Sequence, residues 1–541
     1  MKRRHFLAAS AVPLPWALAG CTQPAPAIDG SFIGASHERG HRLRDASRVV
    51  PAPASTHKTR VLILGAGVAG LAAARALRLK NMDDFAVLEL EDSAGGNSRA
   101  GLVNGVPCPL GAHYLPVPGD DAPEVQNLLE EFGLRRRVAG RWQYDERHLC
   151  HSPQERLFID GQWQEGLLPL QDVDAATLAD YRRFARLVVD LSASARFTMP
   201  VGQSELGPVH RALDAITFET WLNQNQLASP ALRWYLDYCC RDDYGAGLAS
   251  VSAWAGIHYF ASRHGFQAPG AEPSPEREAG ILTWPEGNGW LTRRLAAPLG
   301  ERLKTGRVVL RVAAGKHGVA VDAFNTATQA VERWQAAHCI VALPLFIAAR
   351  VIENPPPALK AAAAQLRYAP WLVVNLHLKA ALHDRPGAAP SWDSVIYNPG
   401  GDTRFPGLGY VDASHQNLQT VPGATVLTYY RAFGMDPAQR QSLYTQPWQH
   451  WRDAVLAELG VPHPDLPAKT TRLDVMRYGH AMSAPVPGIR SSAALLALQQ
   501  PMPAPWQQLR FAHSDLAGYS VFEEAFSQGH RCGMALKTRL G

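Results

Sequence analysis

Six residues, Gly65-Ala66-Gly67-Val68-Ala69-Gly70, decide most of what this chain can fold into. The run before them, Arg60-Val61-Leu62-Ile63-Leu64, is apolar with a β-branched pair, as in a parallel strand buried on both faces. The run after them, Leu71-Ala72-Ala73-Ala74-Arg75-Ala76-Leu77, is strongly helix-forming. A second strand, Phe85-Ala86-Val87-Leu88, ends in Glu89, about twenty residues past the last glycine. Each part has a mechanical task. Gly65 permits the tight turn, Gly67 lets backbone approach a pyrophosphate, and Gly70 lets helix and strand pack closely. The helix N-terminus offers free N–H groups to phosphate, and Glu89 can accept from ribose hydroxyls. The plain alternative is a glycine turn in an ordinary βαβ unit. The ordered set of strand, glycines, helix, strand and acid favours a dinucleotide site, without separating NAD from FAD.

The flanks of that unit speak about size and address. The chain has 541 residues, 46% hydrophobic and 19% charged, enough for two or three domains. A net charge of +5 with no run of Lys/Arg interleaved with aromatics argues against a nucleic-acid partner. Cysteines show no C-x-x-C spacing and histidines are scattered, so no metal site is expected. The pair Cys239-Cys240 reads as two small residues on a buried helix, with a vicinal disulfide as the alternative.

At the start, Met1-Lys2-Arg3-Arg4-His5-Phe6-Leu7 opens a basic region followed by a short apolar stretch. Arg3-Arg4 followed by Phe6-Leu7 resembles a twin-arginine export signal, and Leu18-Ala19-Gly20-Cys21 resembles a bacterial lipobox. An ordinary secretory signal with an incidental cysteine is the alternative. The expectation is a signal over 1–21, export by the twin-arginine machinery, and a periplasmic protein held to the membrane through lipidated Cys21. The twin-arginine route carries folded proteins, which suits a chain that closes around a soluble cofactor. Residues 22–57, rich in Pro and polar residues, read as a flexible tether.

Three later segments resemble the flavin-containing amine oxidase and phytoene desaturase superfamily, and they tip the cofactor to FAD. Glu89 to Ser98, with Gly95, Gly96 and Asn97, resembles its second glycine box. Gly111-Ala112-His113-Tyr114 resembles the segment beside the flavin. Leu509-Arg510-Phe511-Ala512-His513-Ser514-Asp515 and the helix past Tyr519 resemble the closing motif, where an acid meets the ribityl chain. Weaker echoes lie at Thr283 to Gly289, at Arg307-Val308-Val309-Leu310 and at Cys339 to Pro344.

The resemblance implies an α/β fold: a Rossmann-type FAD-binding domain (58–118, 278–352 and 506–541) interleaved with a mixed α+β substrate domain (119–277 and 353–505). It implies cofactor contacts from Gly65, Ala66, Gly67, Val68, Ala69, Gly70, Glu89, Gly95, Gly96, Asn97, Gly111, Ala112, His113, Tyr114, Val309, Asp515 and Ser520.

The sequence departs from the family pattern in places. Ser93 and Asn97 stand where the second glycine box usually carries Arg, and Arg99 is the candidate substitute for the diphosphate contact. Glu524 replaces a usual Gly in the closing helix. Many amine oxidases place a Lys on a strand near the flavin. In the matching strand, Trp371 to Leu378, Val373 takes that position, which implies slow reoxidation by O2 and a different electron acceptor.

On the substrate side, residues 119–277 read as mostly helical and 353–505 as mixed. Trp234 to Tyr244 reads first as a packed helix with a charged end, and second as a wall where Asp242 and Asp243 attract a cation. Catalytic candidates are Tyr519 and Tyr478, as aromatic walls over the flavin, and His480, as a general base. For each the alternative is a buried polar residue bonded to backbone.

The favoured function is an FAD-dependent oxidoreductase that oxidises a small-molecule amine by hydride transfer to flavin N5. The alternatives are a desaturase or isomerase of apolar polyene-like substrates, and a flavin-binding electron carrier without turnover.

Overall fold

The computed structural model describes residues 27–43, 50–151, 153–263, 265–271, 280–401, 403–415, 421 and 423–536. The expected signal over 1–21, with Cys21, lies outside them. Among the described residues no helix is long and apolar enough to cross a membrane.

Two large sheets organise the chain. The first has seven strands among the described residues, built around Ser55–Leu64. Phe85–Leu88 lies parallel on one side of that strand and Ala330–Val341 parallel on the other. Leu509–Phe511 joins Ala330–Val341 in parallel, so the end of the chain returns to the sheet begun near residue 55. Alternation along the central strand sends Val61 and Ile63 into one layer and Leu62 and Leu64 into the other. Both faces are therefore covered, which is why the run is apolar without a polar alternate. The first layer holds two helices, Val68–Leu79 and Phe522–Met534. They touch at backbone distance, because a Cβ on Gly529 would sit 1.9 Å from the Ala69 carbonyl oxygen.

The second sheet has eight strands, with Tyr368–Leu378 near its middle between Thr425–Ala432 and Thr470–Ser483. Every residue of Tyr368–Leu378 is buried. Leu372, Val374 and Leu376 pack with Trp451 and Val455 on one face. Trp371 and Val373 turn to the other face, towards helices Ala175–Ser194, Pro230–Tyr244 and Ala253–Ala261. The mostly helical reading of 119–277 holds from residue 175 onward. Before it, Glu155–Ile159 and Gln162–Glu165 form the far edge of the eight-stranded sheet.

The flexible tether expected over 22–57 is corrected where it is described. Phe32–Ile33 pairs in parallel with Thr470–Ser483, matching Phe32 to Val475 and Ile33 to Met476. Residues 55–57 already belong to the strand Ser55–Leu64. A polar, Pro-rich composition does not prevent ordering when a sheet edge supplies the hydrogen bonds.

Candidate functional site

The cavity between the two sheets starts at the glycine turn. Gly65 has φ +95°, and a Cβ there would lie 2.6 Å from the Ala342 carbonyl oxygen. Gly70 packs closer still, since its Cβ would meet the Gly65 carbonyl oxygen at 1.9 Å. Gly67 ends the turn as the cap of helix Val68–Leu79, with no side chain satisfying the first N–H groups. The second glycine turn crosses it at backbone distance: Gly67 bridges Gly95, and a Cβ on Gly96 would lie 3.1 Å from the Gly67 Cα. Gly65, Gly67, Val68, Ala69, Gly95, Gly96 and Asn97 line one wall of a cavity of about 780 Å³.

Glu89 lines the same cavity. Its carboxylate accepts from the Ala66 N–H at 2.7 Å and the Glu91 N–H at 2.9 Å. Burial raises its pKa, and those two backbone donors oppose the rise. Ala66 thus acts through Glu89 and through its carbonyl, which takes the Gly95 N–H at 2.8 Å, rather than by facing the cavity. Gly70 likewise serves packing. Arg99 corrects the sequence reading: it lies buried behind the second glycine turn, its Nε donating to the Gly96 carbonyl at 3.1 Å and its guanidinium 3.7 Å from Glu91. Arg99 shapes the turn and is not a cavity residue.

Further along lie Gly111, Ala112, His113 and Tyr114. Gly111 has no room for a side chain, because a Cβ would meet the Asn97 carbonyl oxygen at 2.2 Å. His113 stacks on Tyr430 at 4.4 Å, and burial lowers its pKa to about 3, so the ring is neutral. Val309 and Ser520 also line the cavity. So does Asp515, fully buried, whose Oδ2 accepts from the Tyr368 hydroxyl at 2.6 Å and the Leu345 N–H at 2.9 Å. Burial would raise the pKa of Asp515, but His513, Tyr368 and the Leu345 N–H outweigh it and hold the group ionised. Its Oδ1 lies 3.3 Å from His513 Nδ1.

These features fit a dinucleotide. Two helices, Val68–Leu79 and Phe522–Met534, begin at the cavity without side-chain caps. Crossed glycine turns bring bare backbone to its wall, and the ionised Asp515 lines it.

The other end is acidic and aromatic. Trp371 and Val373 line it from the central strand, with Tyr430 and Tyr478 from the strands on either side. Val373 pairs with Tyr430 and Met476, and no lysine among the described residues lines the cavity. Helix Pro230–Tyr244 ends at Gly245, whose φ is +73°, and its last turn presents Asp242 and Asp243. The segment is a packed helix with a charged last turn, and both acids of that turn line the cavity, as the second reading has it. Cys239 and Cys240, just before them, are buried free thiols. Asp242 Oδ2 stands 3.5 Å from the Tyr114 hydroxyl. Burial, and then the charge of Asp243, raise the Asp242 pKa to about 7. Asp243 pairs with Arg263 at 3.0 Å, leaving Asp243 Oδ2 and Arg263 Nε buried without partners.

The three catalytic candidates separate. Tyr478 lines the cavity and donates to the Leu110 carbonyl at 2.6 Å. His480 reaches the cavity too, but it is exposed and lies against Phe346 at 4.7 Å, on the Tyr368 side that holds Asp515. Tyr519 does not line the cavity. The positive φ of Gly518, +86°, precedes it, and its ring is buried against Tyr244 and Trp254, its hydroxyl donating to Glu524 at 2.8 Å. Sequence reasoning missed Trp371, Tyr430 and Arg263. Strand alternation gives the first as a partner of Val373, whereas Arg263 carries no local signal.

A Rossmann-type dinucleotide sheet facing an aromatic-lined second sheet, with two acids presented from a helix end, defines a flavoenzyme-type oxidoreductase fold. The sequence model described as "Flavin containing amine oxidoreductase" matches residues 68–535, and the chain belongs to this FAD-dependent family. An L-amino acid dehydrogenase of Synechocystis is 26% identical over 301 residues, a match spanning 54% of this chain and 58% of that protein. Putrescine oxidase bound to putrescine superposes with a TM-score of 0.64 at 18% identity, covering 88% of this chain and 98% of that one. A fatty acid isomerase from P. acnes superposes at 0.59 with 13% identity, covering 88% and 97%.

Proposed function

We propose that this protein oxidises a small-molecule amine. The observation that carries the reading is Asp242, a half-buried carboxylate on the cavity wall beside the Tyr114 hydroxyl, with Tyr430 lining the same cavity. A carboxylate partly removed from water without a full partner is costly, and a substrate ammonium is the ligand that relieves it. The chemistry that FAD supplies when bound is acceptance of a hydride, at N5, from the carbon beside the nitrogen. The chain's own residues do the rest. Asp242 orients the ammonium, and at neutral pH it is poised to take a proton from it, which makes the nitrogen lone pair available. Trp371, Tyr430 and Tyr478 confine the carbon skeleton and exclude water. Asp243, held by Arg263, keeps the acidic end fixed. An apolar polyene finds no counterpart for these charges.

Arg263 supports one second reading. Arg263 lines a cavity that also holds acids, as a substrate with both an ammonium and a carboxylate requires. Val373 in place of a lysine supports an acceptor other than O2. Arg3-Arg4 and Cys21 support export and a lipid anchor, which labelling with a radioactive fatty acid tests.

The deciding experiment is anaerobic mixing of the FAD-loaded protein with matched panels of primary amines and amino acids. Loss of the oxidised flavin band with one panel names the class; an unchanged spectrum with both sinks the proposal.

A further inference from the structure

The first described residues form a strap between the two sheets. Asp29 and Ser31 accept backbone bonds from Leu473 at 2.8 Å and Val475 at 2.9 Å, which adds Phe32–Ile33 to the edge of the eight-stranded sheet. The register is tight: a Cβ on Gly30 would lie 1.9 Å from the Leu473 carbonyl oxygen. The Arg477 guanidinium covers the Phe32 ring at 3.6 Å. The chain then turns to the other sheet. The Ser36 N–H donates to Glu91 Oε1 at 2.9 Å, and Arg39 donates to the Leu90 carbonyl at 3.1 Å while pairing with Asp92 at 2.8 Å. Between these anchors, helix His37–His41 sets both of its histidines against Tyr444, at 5.5 and 6.0 Å.

The strap is also a wall of the cavity. Ala35, Ser36, His37, Gly40, His41 and Leu43 line it together with Glu89, Leu90 and Glu91. Glu89 ends the second strand of the dinucleotide unit, the position that meets the adenosine ribose in this type of fold. The strap lies ahead of the stretch matched by the family's sequence model, which starts at residue 68.

We propose that residues 27–43 clasp the adenosine half of bound FAD, with Ser36, His37 and His41 adding to its site and Arg39–Asp92 holding the clasp shut. The inference rests on FAD occupying the cavity and is independent of the substrate. Adenosine cannot leave past this wall while the strap bridges the sheets, so the clasp acts chiefly on the rate of release.

Release of FAD from the full-length holoprotein, read as the rise of free-flavin fluorescence on dilution, tests it. Arg39→Asp sets like charges against Asp92 and Glu91 and is expected to speed release several-fold, up to about tenfold. The double variant Arg39→Asp with Asp92→Arg is expected to restore the slow rate. His37→Ala with His41→Ala is expected to speed release while the apoprotein melts as the wild type does. Wild-type release from all of these variants overturns the clasp, as does acceleration only where the apoprotein also melts earlier. Failure of the wild-type protein to take up FAD is a separate result, and it overturns the cofactor assignment.

Discussion

The Tyr114 hydroxyl stands 3.5 Å from Asp242 Oδ2, and this contact joins the two halves of the molecule. Tyr114 follows the segment that packs on the second glycine turn. Asp242 closes a helix of the substrate side. Asp242 is thereby fixed relative to the glycine turns of the dinucleotide sheet. Replacing Asp242 by Asn keeps the shape and removes the charge. Asp242→Asn is expected to lower kcat/KM for the amine about 10²-fold, the loss of a charge-assisted bond in a buried site. FAD binding stays intact. Steady-state kinetics beside a flavin spectrum separate the two.

The same residue sets a pH limb. With a pKa raised to about 7 by burial and Asp243, Asp242 is protonated below neutrality and loses its attraction for an ammonium. Amine kcat/KM is expected to fall as pH drops below about 7, and Asp242→Asn is expected to lack that limb. A wild-type profile flat from pH 5 to 8, on the scale of one pKa, contradicts the assignment.

Asp515 tests the cofactor end. It lines the cavity with Oδ1 beside His513 and Oδ2 held by Tyr368 and Leu345. Asp515→Asn is expected to weaken FAD binding by roughly 10- to 100-fold, since a bond to a charged acceptor contributes about 1.5–3 kcal/mol. Titration of the apoprotein with FAD, followed by quenching of flavin fluorescence, measures this.

Glu458 offers a stability test away from the site. It is buried beside Tyr429, and burial raises its pKa from 4.5 to about 7. The folded state therefore holds a proton that the unfolded state releases near pH 4.5. The stability linked to this group is full below that value and is lost as pH rises to about 7. Glu458→Gln escapes the loss, so its stability relative to wild type is expected to improve between pH 4 and 8, by on the order of 3 kcal/mol. Denaturant unfolding at several pH values checks the slope.

Gly529 tests the packing that carries the glycine turn. A Cβ there would lie 1.9 Å from the Ala69 carbonyl oxygen, so Gly529→Ala must separate two helices that both begin at the cavity. It is expected to cost about 1–3 kcal/mol and to loosen FAD.

What could be read from the chain alone was local or carried by resemblance. The turn from Gly65 to Gly70 is a contiguous strand, loop and helix, and each glycine has its own steric reason. Asp515 could be found because it belongs to a contiguous motif, although it sits in the short helical turn Ser514–Ala517 past the strand Leu509–Phe511. Tyr519 failed because one residue, Gly518, rotates the chain, and no spacing reveals which way a ring then points. Asp242 ranked second because the end of an amphipathic helix looks the same whether it meets water or a cavity. Arg263 and the strap were invisible for a shared reason: their partners, Asp243 and the 470–483 strand, are set by tertiary packing. Composition made residues 22–57 a tether, and backbone bonds to a sheet edge overrode it for 29–33, with contacts to Leu90, Glu91 and Asp92 holding Ser36 and Arg39.

The most direct measurement is the visible spectrum of the purified, FAD-loaded protein on anaerobic addition of a primary amine, run beside Asp242→Asn. The account predicts a yellow protein whose oxidised flavin band disappears with amine in the wild type and persists in the variant. A protein that takes up no FAD, or one that no amine or amino acid reduces, contradicts it.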